Sequence, residues 1–222
     1  VIFYIYKTSI ISEQNRLWAG IAKETAHQIV TPITSLIGWV TLIKNKNKKE
    51  VIDEIEKDIN RLKIISDRFS KIGSVPILKN QNIYLIIFDT INYLKSRSSK
   101  SINWEIKSNK KKILAPINSI LFSWTIENLL VNSIDSIKGN GKISIYIENK
   151  GKYVYVYISD NGSGIKKLEI KKIFKPGYST KKRGWGLGLS LSKRIIENYH
   201  GGKLTLKKTK INFGSTFVIE LN

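Results

Sequence analysis

The sequence predicts an α+β fold in which an antiparallel helical hairpin precedes an α/β sandwich, a mixed sheet with helices on one face. Two long apolar stripes at helical spacing fall within residues 12–73, separated by the polar run KNKNKK at residues 44–49. From residue 74 onward, helical patterns alternate with short segments of period two, which favours sheet and helices in one domain. The chain has 222 residues, 41% of them hydrophobic, enough for one large domain or two modest ones.

Residues 1–11 open with VIFYIY, six apolar or aromatic residues before Lys7. Six are too few for a membrane crossing, which needs about 20, and a signal peptide would need a basic start and a small-residue cleavage site. Aromatic residues followed by a lysine are typical of the cytoplasmic boundary of a membrane helix. The segment is therefore predicted to be the end of such a helix or a linker; a buried or frayed N-terminus is the other interpretation.

Residues 12–73 are predicted to form the hairpin, with its first helix running from residue 12 to about residue 45. The expected apolar face of the first helix contains Leu17, Ile21, Gln28, Pro32, Leu36, Trp39 and Ile43. The second helix has a heptad-like stripe of Val51, Ile55, Ile59, Leu62, Ile65, Phe69 and Ile72. A single hairpin cannot bury such a stripe, so we expect two chains to form a dimeric four-helix bundle.

Residues 74–222 are predicted to form the α/β sandwich. GSVPILKNQ is a linker or an edge strand, and the following helices are expected in IYLIIFDTINYLKS and INSILFSWTIENLLVNSIDSI. KISIYIE and YVYVYIS are predicted to pair through the turn NKGK, and KLTLKK is predicted to pair with STFVIEL.

The net charge of +21 first suggests a nucleic-acid partner, but the lysines are scattered along the chain. A solvated basic surface, favoured near anionic lipid, is the simpler interpretation, and no nucleic-acid partner is expected. The absence of cysteine excludes disulfides, thiol catalysis and cysteine-ligated zinc. The two histidines, His27 and His200, are far apart in sequence, so a histidine metal site is not expected. His200 is interpreted as a capping or surface residue.

ENLLVNSID carries Asn128, Asn132 and Asp135 at positions i, i+4 and i+7, which is one face of a helix. Such a row can be a solvated face, but a carboxamide oxygen aimed into a pocket is also a good ligand for Mg²⁺. In YISDNGSGI, a strand ends in Asp160 and a turn rich in glycine follows. A carboxylate held at a strand end beside glycines could accept a hydrogen bond from a flat ligand.

Gly184, Gly186 and Gly188 alternate before an apolar helix that bears lysine and arginine. Leu189 stands where the dinucleotide fingerprint needs a glycine, and no GxxxxGK loop is present. Glycine-rich backbone at the start of a helix offers N–H groups to phosphates, and the run KKR at residues 181–183 adds positive charge.

The order of these motifs, a histidine-bearing hairpin, then NLLVN, DNGSG, FKPG and GWGLGL, resembles the sensor histidine kinases. The resemblance matches the H, N, G1, F and G2 boxes of that family from about residue 12 to the C-terminus. It implies a dimerising, histidine-phosphotransfer hairpin in residues 12–73 and a catalytic ATP-binding domain in residues 74–222. The fold of the latter is shared with gyrase, a mismatch-repair ATPase and a heat-shock chaperone.

The resemblance implies that His27 receives the γ-phosphoryl group of ATP, that Pro32 kinks the helix beyond it, and that the phosphoryl group passes to an aspartate of a response regulator. Asn132 would ligate Mg²⁺, Asp160 would accept the adenine amino group, and residues 174–184 would form a mobile lid. The implied ATP site comprises Asn128, Asn132, Asp135, Asp160, Gly162, Gly164, Ile165, Tyr178, Ser179, Thr180, Lys181, Lys182, Arg183, Gly184, Gly186, Leu187, Gly188 and Leu189.

Two positions depart from the family pattern. Gln28 follows His27 where many members have an acidic residue that acts as a base, and Glu24, one turn earlier, is the candidate to replace it. Thr31 matches the position that orients water when the family dephosphorylates its partner. Asp135 stands where some members have a basic residue that contacts phosphate, which would shift that task to the lid.

By the same resemblance, we expect a homodimer whose partner is the receiver domain of a response regulator. Attachment through a segment N-terminal to Val1 would place the chain on the cytoplasmic side of the inner membrane of a bacterium. The alternatives are a kinase-dead or phosphatase-dominant scaffold of the same fold, and an ATPase of the chaperone or topoisomerase type. A nucleic-acid-binding module would show a steep salt dependence of DNA affinity.

Overall fold

The computed structural model describes residues 2–42, 48–72, 76–110, 112–181 and 185–222. In the first two helices, it describes the side chains of residues 19–23, 25–42 and 51–72. The chain divides into two compact units, Val1–Ser74 and Val75–Asn222. Residues 44–47 of the predicted hairpin loop lie outside the described residues.

The first unit consists of two long helices, α1 (Ile2–Leu42) and α2 (Lys48–Ile72), which pack against each other. Helix α1 begins ten residues before the predicted start at residue 12, so it includes most of the segment that was interpreted as a boundary. No helix within the described ranges combines the length and the apolar character that a membrane crossing requires. Among the described side chains of this unit, the buried ones all belong to the predicted stripes: Ile21, Pro32, Val51, Ile65 and Ile72.

A second apolar row on α1 was not predicted. Val30, Ile33, Ile37 and Val40 follow one another at spacings of 3, 4 and 3 and are between 42 and 64% exposed. On α2, Ile52 is 49% exposed, and two members of the predicted stripe, Ile59 and Phe69, are 52 and 44% exposed rather than buried within the hairpin. The hairpin alone therefore leaves large aliphatic side chains of both helices in water.

The second unit is built from strands and helices in alternation. Its helices are α3 (Ile83–Lys95), α4 (Ser119–Ser136) and α5 (Gly188–Arg194), and α5 continues into a π-helical turn, Ile195–Tyr199. Its strands are β1 (Lys79–Asn82), β2 (Ile102–Ser108), β3 (Leu114–Ile117), β4 (Gly141–Lys150), β5 (Tyr153–Asp160), β6 (Lys203–Lys210) and β7 (Gly214–Leu221).

A five-stranded sheet in the order β2-β4-β5-β7-β6 forms the base of this unit. β2 and β4 are parallel and the remaining neighbours are antiparallel, which confirms the predicted mixed sheet. Alternate residues of β4 and β5, from Ile143 to Ile147 and from Val154 to Ile158, are fully buried in one core with α3 and α4. The period-two pattern therefore has its physical basis here: one face of the sheet packs under the helices.

Two strands of this unit, β2 and β3, were not assigned from the sequence. β3 has only four residues and contains Pro116, which lacks the N–H that a central strand needs. It pairs with β1 in a separate two-stranded sheet, so the segment GSVPILKNQ contributes an edge strand through its last residues.

His200 is not a surface residue, contrary to one of the two interpretations made from the sequence. Its side chain is 6% exposed and lies between α4 and the π-helical turn. Nε2 accepts a hydrogen bond from the N–H of Asn118, the N-cap residue of α4, at 3.1 Å, and Nδ1 lies 2.9 Å from the carbonyl oxygen of Ile195. One nitrogen must accept while the other donates, so the site requires the neutral imidazole, and burial lowers the pKa of His200.

Candidate functional site

Asp160 ends β5 with a carboxylate that is held in a fixed orientation. Its Oδ1 accepts hydrogen bonds from the hydroxyl of Ser136 at 3.0 Å and from the N–H of Gly162 at 2.9 Å. Its Oδ2 accepts a longer one, of 3.4 Å, from the hydroxyl of Ser133, a buried residue of α4. Three donors therefore orient the carboxylate, and Oδ2 retains capacity to accept a further hydrogen bond.

The loop after Asp160 is clamped between the end of α4 and the turn between β6 and β7. The N–H of Ser163 donates to the carbonyl of Ser136, and the N–H of Asn212 donates to the carbonyl of Ser163, both at 2.9 Å. A Cβ on Gly162 would lie 1.9 Å from the hydroxyl oxygen of Ser136. Gly164 has φ +69° and a Cβ there would lie 2.3 Å from the carbonyl oxygen of Lys210. Both glycines are thus required by the packing of the loop against the protein itself.

Asn128 joins α4 to the start of α5. Its amide nitrogen lies 3.3 Å from the hydroxyl of Ser192 and 3.5 Å from the carbonyl of Gly188. A carboxamide in this position ties the glycine-rich segment to the helix that carries Asn132, one turn further along α4.

Lys181 brings the other two predicted residues of α4 together. Its ammonium nitrogen lies 2.9 Å from Oδ1 of Asn132 and 2.6 Å from Oδ2 of Asp135. The side chains of Lys181 and Asp135 are 40 and 44% exposed, so the ion pair lies at the rim of the site.

The segment that contains Lys181 begins and ends at two glycines, Gly177 and Gly186, which are hydrogen-bonded to each other. The N–H of Gly177 donates to the carbonyl of Gly186 at 3.0 Å, and a Cβ on Gly186, whose φ is +66°, would lie 2.4 Å from the carbonyl oxygen of Tyr178. Tyr178 is half-buried against the core, and burial raises the pKa of its phenol. Ser179 and Thr180, which follow Tyr178 in the chain, are exposed. Three predicted residues of the segment, Lys182, Arg183 and Gly184, lie outside the described residues.

The remaining predicted residues surround the start of α5. Leu187 is buried and its carbonyl accepts the hydroxyl of Ser190 at 2.8 Å, while Leu189 packs against the core. On the opposite side of the clamped loop, the N–H of Ile165 donates to the hydroxyl of Thr209 at 2.8 Å. The second unit therefore collects the predicted residues of α4, the end of β5 and the glycine-rich segment around one region.

The serines that orient Asp160 were not predicted from the sequence. Ser133 and Ser136 lie three residues apart on α4, directly after Asn132, and this spacing was the available signal that both hydroxyls share a side of the helix. Thr209 left no such signal, because only the pairing of β6 with β7 brings it to Ile165.

His27 lies in the first unit, on α1, with its side chain exposed to solvent. Thr31, one turn later, is also exposed, while Gln28 is half-buried. Pro32 is buried, and α1 continues through it although proline has no N–H to donate to the carbonyl four residues earlier. The side chain of Glu24 lies outside the described residues.

The carboxamide of Asn132 fits Mg²⁺, since its oxygen already faces a cation, the ammonium group of Lys181. Among the described residues, no group of three or more histidine, aspartate or glutamate side chains could hold a metal ion. A bound Mg²⁺ would therefore depend on oxygen atoms from a ligand and from water as well as on the protein.

The sequence pattern of the family described as "Histidine kinase-, DNA gyrase B-, and HSP90-like ATPase" matches residues 118–222. Sporulation kinase B of Bacillus subtilis (strain 168) is 26% identical over 223 residues, which cover 94% of this chain. The signal transduction histidine-protein kinase AtoS of Escherichia coli (strain K12) is 28% identical over 214 residues, which cover 92% of this chain. Residues 118–222 therefore match a catalytic ATP-binding domain of the histidine kinase type, and the chain as a whole is similar to sensor histidine kinases.

Solved structures place this family's catalytic domain on the same fold. The catalytic domain of histidine kinase ThkA is 28% identical, with a TM-score of 0.60 over 65% of this chain and 94% of that domain. ThkA in complex with the response regulator protein TrrA aligns with 100% of this chain and 66% of that one, with a TM-score of 0.61 and 24% identity. The chain spans 49% of the length of Sporulation kinase B and 34% of that of AtoS.

Proposed function

We propose that the chain binds ATP with Mg²⁺ in its second unit, phosphorylates His27, and passes the phosphoryl group to an aspartate of a response regulator. The observation that carries this proposal is the oriented carboxylate of Asp160 beside the Asn128–Asn132 face of α4, within a domain of the histidine kinase ATPase family. The complex of ThkA with TrrA supports a response regulator as the partner.

In the nucleotide site, Asp160 is proposed to accept the adenine amino group. Ser133, Ser136 and the N–H of Gly162 hold the carboxylate in a fixed orientation, because each donates a hydrogen bond to it. Replacing adenine by a base that lacks the amino group would remove the additional hydrogen bond to Oδ2, which is how such a site discriminates between bases.

At the phosphate end, Asn132 would hold Mg²⁺ through Oδ1, and the bound ion would supply neutralisation of phosphate charge. Lys181 now donates to the same oxygen and to Asp135. When nucleotide binds, its ammonium is available to turn to the phosphates, where it would stabilise the negative charge that builds up during transfer.

The transfer itself needs His27 in its neutral form. The lone pair of one imidazole nitrogen forms the N–P bond while the bond between the γ-phosphorus and the β–γ bridging oxygen breaks, and ADP leaves with that electron pair. The other ring nitrogen then gives its proton to a base. The exposed position of His27 on α1 leaves its ring accessible to such an encounter.

Glu24 is the proposed base, because Gln28 cannot hold a proton. We expect Glu24→Gln to slow autophosphorylation and Gln28→Glu to accelerate it, both measured from initial rates of label incorporation at saturating ATP. An unchanged rate in Glu24→Gln would remove Glu24 from the mechanism.

A phosphatase-dominant signalling protein is the second candidate, favoured by Gln28 and by the exposed Thr31 one turn after His27. In that case the purified chain would remove the phosphoryl group from a phosphorylated receiver domain faster than it labels itself, and Thr31→Ala would abolish the removal.

A homodimer is proposed for the first unit, since Val30, Ile33, Ile37 and Val40 remain exposed on α1. A second hairpin would bury this row in a four-helix bundle. Attachment to the cytoplasmic face of a bacterial inner membrane, through a segment before Val1, is proposed from the aromatic and basic character of the first residues.

The test is incubation of the chain with γ-labelled ATP and Mg²⁺. We expect label that is stable in alkali and lost in acid, which is the behaviour of a phosphoramidate. His27→Ala should abolish labelling but retain binding of a fluorescent ATP analogue, whereas Asp160→Asn should lose both. Labelling that persists in His27→Ala would contradict the assignment of His27. Failure of the unmodified chain to bind the analogue would contradict the proposed function as a whole.

A further inference from the structure

We infer that the second unit has a docking surface for anionic lipid, formed by residues 166–175 and by residues 208–213 at the turn between β6 and β7. We call it the lysine-rich loop surface. The inference does not depend on the kinase activity, because it rests on the exposure, charge and proximity of two segments, of which only residues 174 and 175 fall within the range implied for the lid.

Hydrogen bonds at their bases hold the two loops side by side. The N–H of Asn212 donates to the carbonyl of Ser163 at 2.9 Å, and the N–H of Ile165 donates to the hydroxyl of Thr209 at 2.8 Å. Gly164 approaches the carbonyl of Lys210 so closely that a Cβ there would lie 2.3 Å from its oxygen. The residues that follow Ile165 and those that flank Asn212 therefore emerge from one place in the fold.

Large apolar side chains project from both loops. Leu168 is 86% exposed, Phe213 is 67% exposed and Ile211 is 46% exposed. Scattered exposed apolar residues are normal, but these three lie on two segments that are hydrogen-bonded at their bases, which makes them a candidate apolar patch.

The patch is surrounded by positive charge. Within the two ranges there are seven lysines and one acidic residue, Glu169, so the surface carries a net charge of +6. The lysines are Lys166, Lys167, Lys171, Lys172, Lys175, Lys208 and Lys210, all of them exposed. The ammonium nitrogen of Lys210 lies 4.0 Å from the centre of the Phe213 ring, so charge and apolar surface alternate at short range.

This combination matches the interface of an anionic membrane better than it matches a protein or a nucleic acid. Apolar tips can enter the boundary between headgroups and acyl chains while the lysine stems lie alongside them and the ammonium groups reach the headgroup phosphates. Single-stranded nucleic acid would need several open aromatic faces for stacking. Phe213 is the one exposed aromatic side chain within these two ranges, and Lys210 already covers it.

The test is co-sedimentation of the full chain with vesicles of phosphatidylcholine, with and without phosphatidylglycerol. We expect binding only to the vesicles that contain phosphatidylglycerol, and weaker binding as salt is raised. The double variant Leu168→Ser/Phe213→Ser should lower the apparent affinity by about tenfold, since it removes two inserted apolar side chains. Leu85→Ser, on α3 and also exposed, is the matched control and should bind like the unmodified chain.

A second pair of variants tests the charge. Lys166, Lys167, Lys171 and Lys172 changed together to Gln should abolish the preference for phosphatidylglycerol. The same change at four exposed lysines elsewhere, Lys95, Lys100, Lys112 and Lys138, alters the net charge equally and should leave most of the binding intact. Circular dichroism melting curves establish that each variant is folded.

Three outcomes would overturn the inference. The first is equal binding to neutral vesicles, and the second is undiminished binding of the folded Leu168→Ser/Phe213→Ser variant. The third is displacement from the vesicles by a single-stranded oligonucleotide at low concentration, which would assign the surface to nucleic acid instead.

Discussion

The ammonium nitrogen of Lys181 lies 2.6 Å from Oδ2 of Asp135, and the same nitrogen lies 2.9 Å from Oδ1 of Asn132. One lysine thus occupies the oxygen proposed for Mg²⁺ and neutralises the acidic residue beside it. Its charge can serve this pair or the phosphates of a nucleotide, but a single ammonium group cannot fully serve both. Asp135 is therefore a competitor of the nucleotide for Lys181.

Asp135→Asn should raise the affinity for ATP with Mg²⁺. Removing the carboxylate frees Lys181 and also removes repulsion of the phosphates; because the pair is exposed, we expect an effect of about two- to fivefold. The measurement is a titration with a fluorescent ATP analogue, with Asp89→Asn on the surface of α3 as the control for a lost negative charge.

The same substitution in a Lys181→Gln background separates the two effects. If Asp135 competes with the nucleotide for Lys181, Asp135→Asn should raise the affinity for ATP less in the Lys181→Gln background than in the unmodified chain. An equal increase would show that only the repulsion between Asp135 and the phosphates is involved.

Gly162→Ala should destabilise the second unit and weaken ATP binding together. A Cβ would lie 1.9 Å from the hydroxyl oxygen of Ser136, which donates to Asp160, so the loop must shift at a cost of about 1–3 kcal/mol. Thermal unfolding and analogue binding provide the measurements. Gly38→Ala is the matched substitution without a clash, because nothing lies within 4 Å of its Cβ, and it should not lower the melting temperature.

The free energy of unfolding should fall in mild acid because of His200. Its pKa is lowered in the folded chain by burial, so the unfolded chain binds the proton more readily. The contribution of the neutral ring is complete above the unfolded pKa, near 6.5, and is lost as the pH falls below it, by at most about 1.4 kcal/mol per pH unit.

Urea unfolding at a series of pH values tests this origin of the acid sensitivity. His200→Gln, which keeps one acceptor and one donor, should flatten the dependence between pH values of about 7.5 and 5.5. The exposed His27→Gln should leave it unchanged. An identical slope in the two variants would assign the acid sensitivity to other groups.

Ile37→Glu should dissociate the proposed dimer. Ile37 is 64% exposed in the middle of the apolar row of α1, and a carboxylate there would be buried unpaired in a four-helix bundle. Sedimentation velocity should show a monomer for this variant and a dimer for Asn92→Glu, which adds the same charge at an exposed polar position on α3 of the second unit. If Ile37→Glu sediments like the unmodified chain, the row is not the interface.

Local patterns predicted most of the elements. The alternation in YVYVYIS predicted β5, because one face of that strand is buried, and the stripe from Val51 to Ile72 predicted α2. The strand β3 was not predicted, because four residues that include Pro116 are too few to show a periodic pattern. The second apolar row of α1 was not predicted either. Val30, Ile33 and Ile37 have the same helical spacing as the predicted apolar face, and only packing against α2 distinguishes the two faces of the helix.

For the candidate site, the chain order of motifs predicted Asp160, the asparagines of α4 and the glycine-rich segment. The roles of the glycines were not visible in that order. Gly162 and Gly164 were interpreted through a ligand, whereas each is also required by an atom of the protein, in Ser136 and in Lys210 respectively.

The sequence by itself indicated the similarity to sensor histidine kinases, the mixed α/β sheet of the second unit and the residue types of the candidate site, because periodicity and local motifs depend on neighbours along the chain. Only the tertiary structure decided which distant groups meet: Lys181 with Asp135, Ser136 with Asp160, and His200 with the N-cap of α4. These contacts join residues between 24 and 82 positions apart. No local pattern encodes them, since the packing of α4 on the sheet and of the following loops on α4 brings the partners within hydrogen-bonding distance.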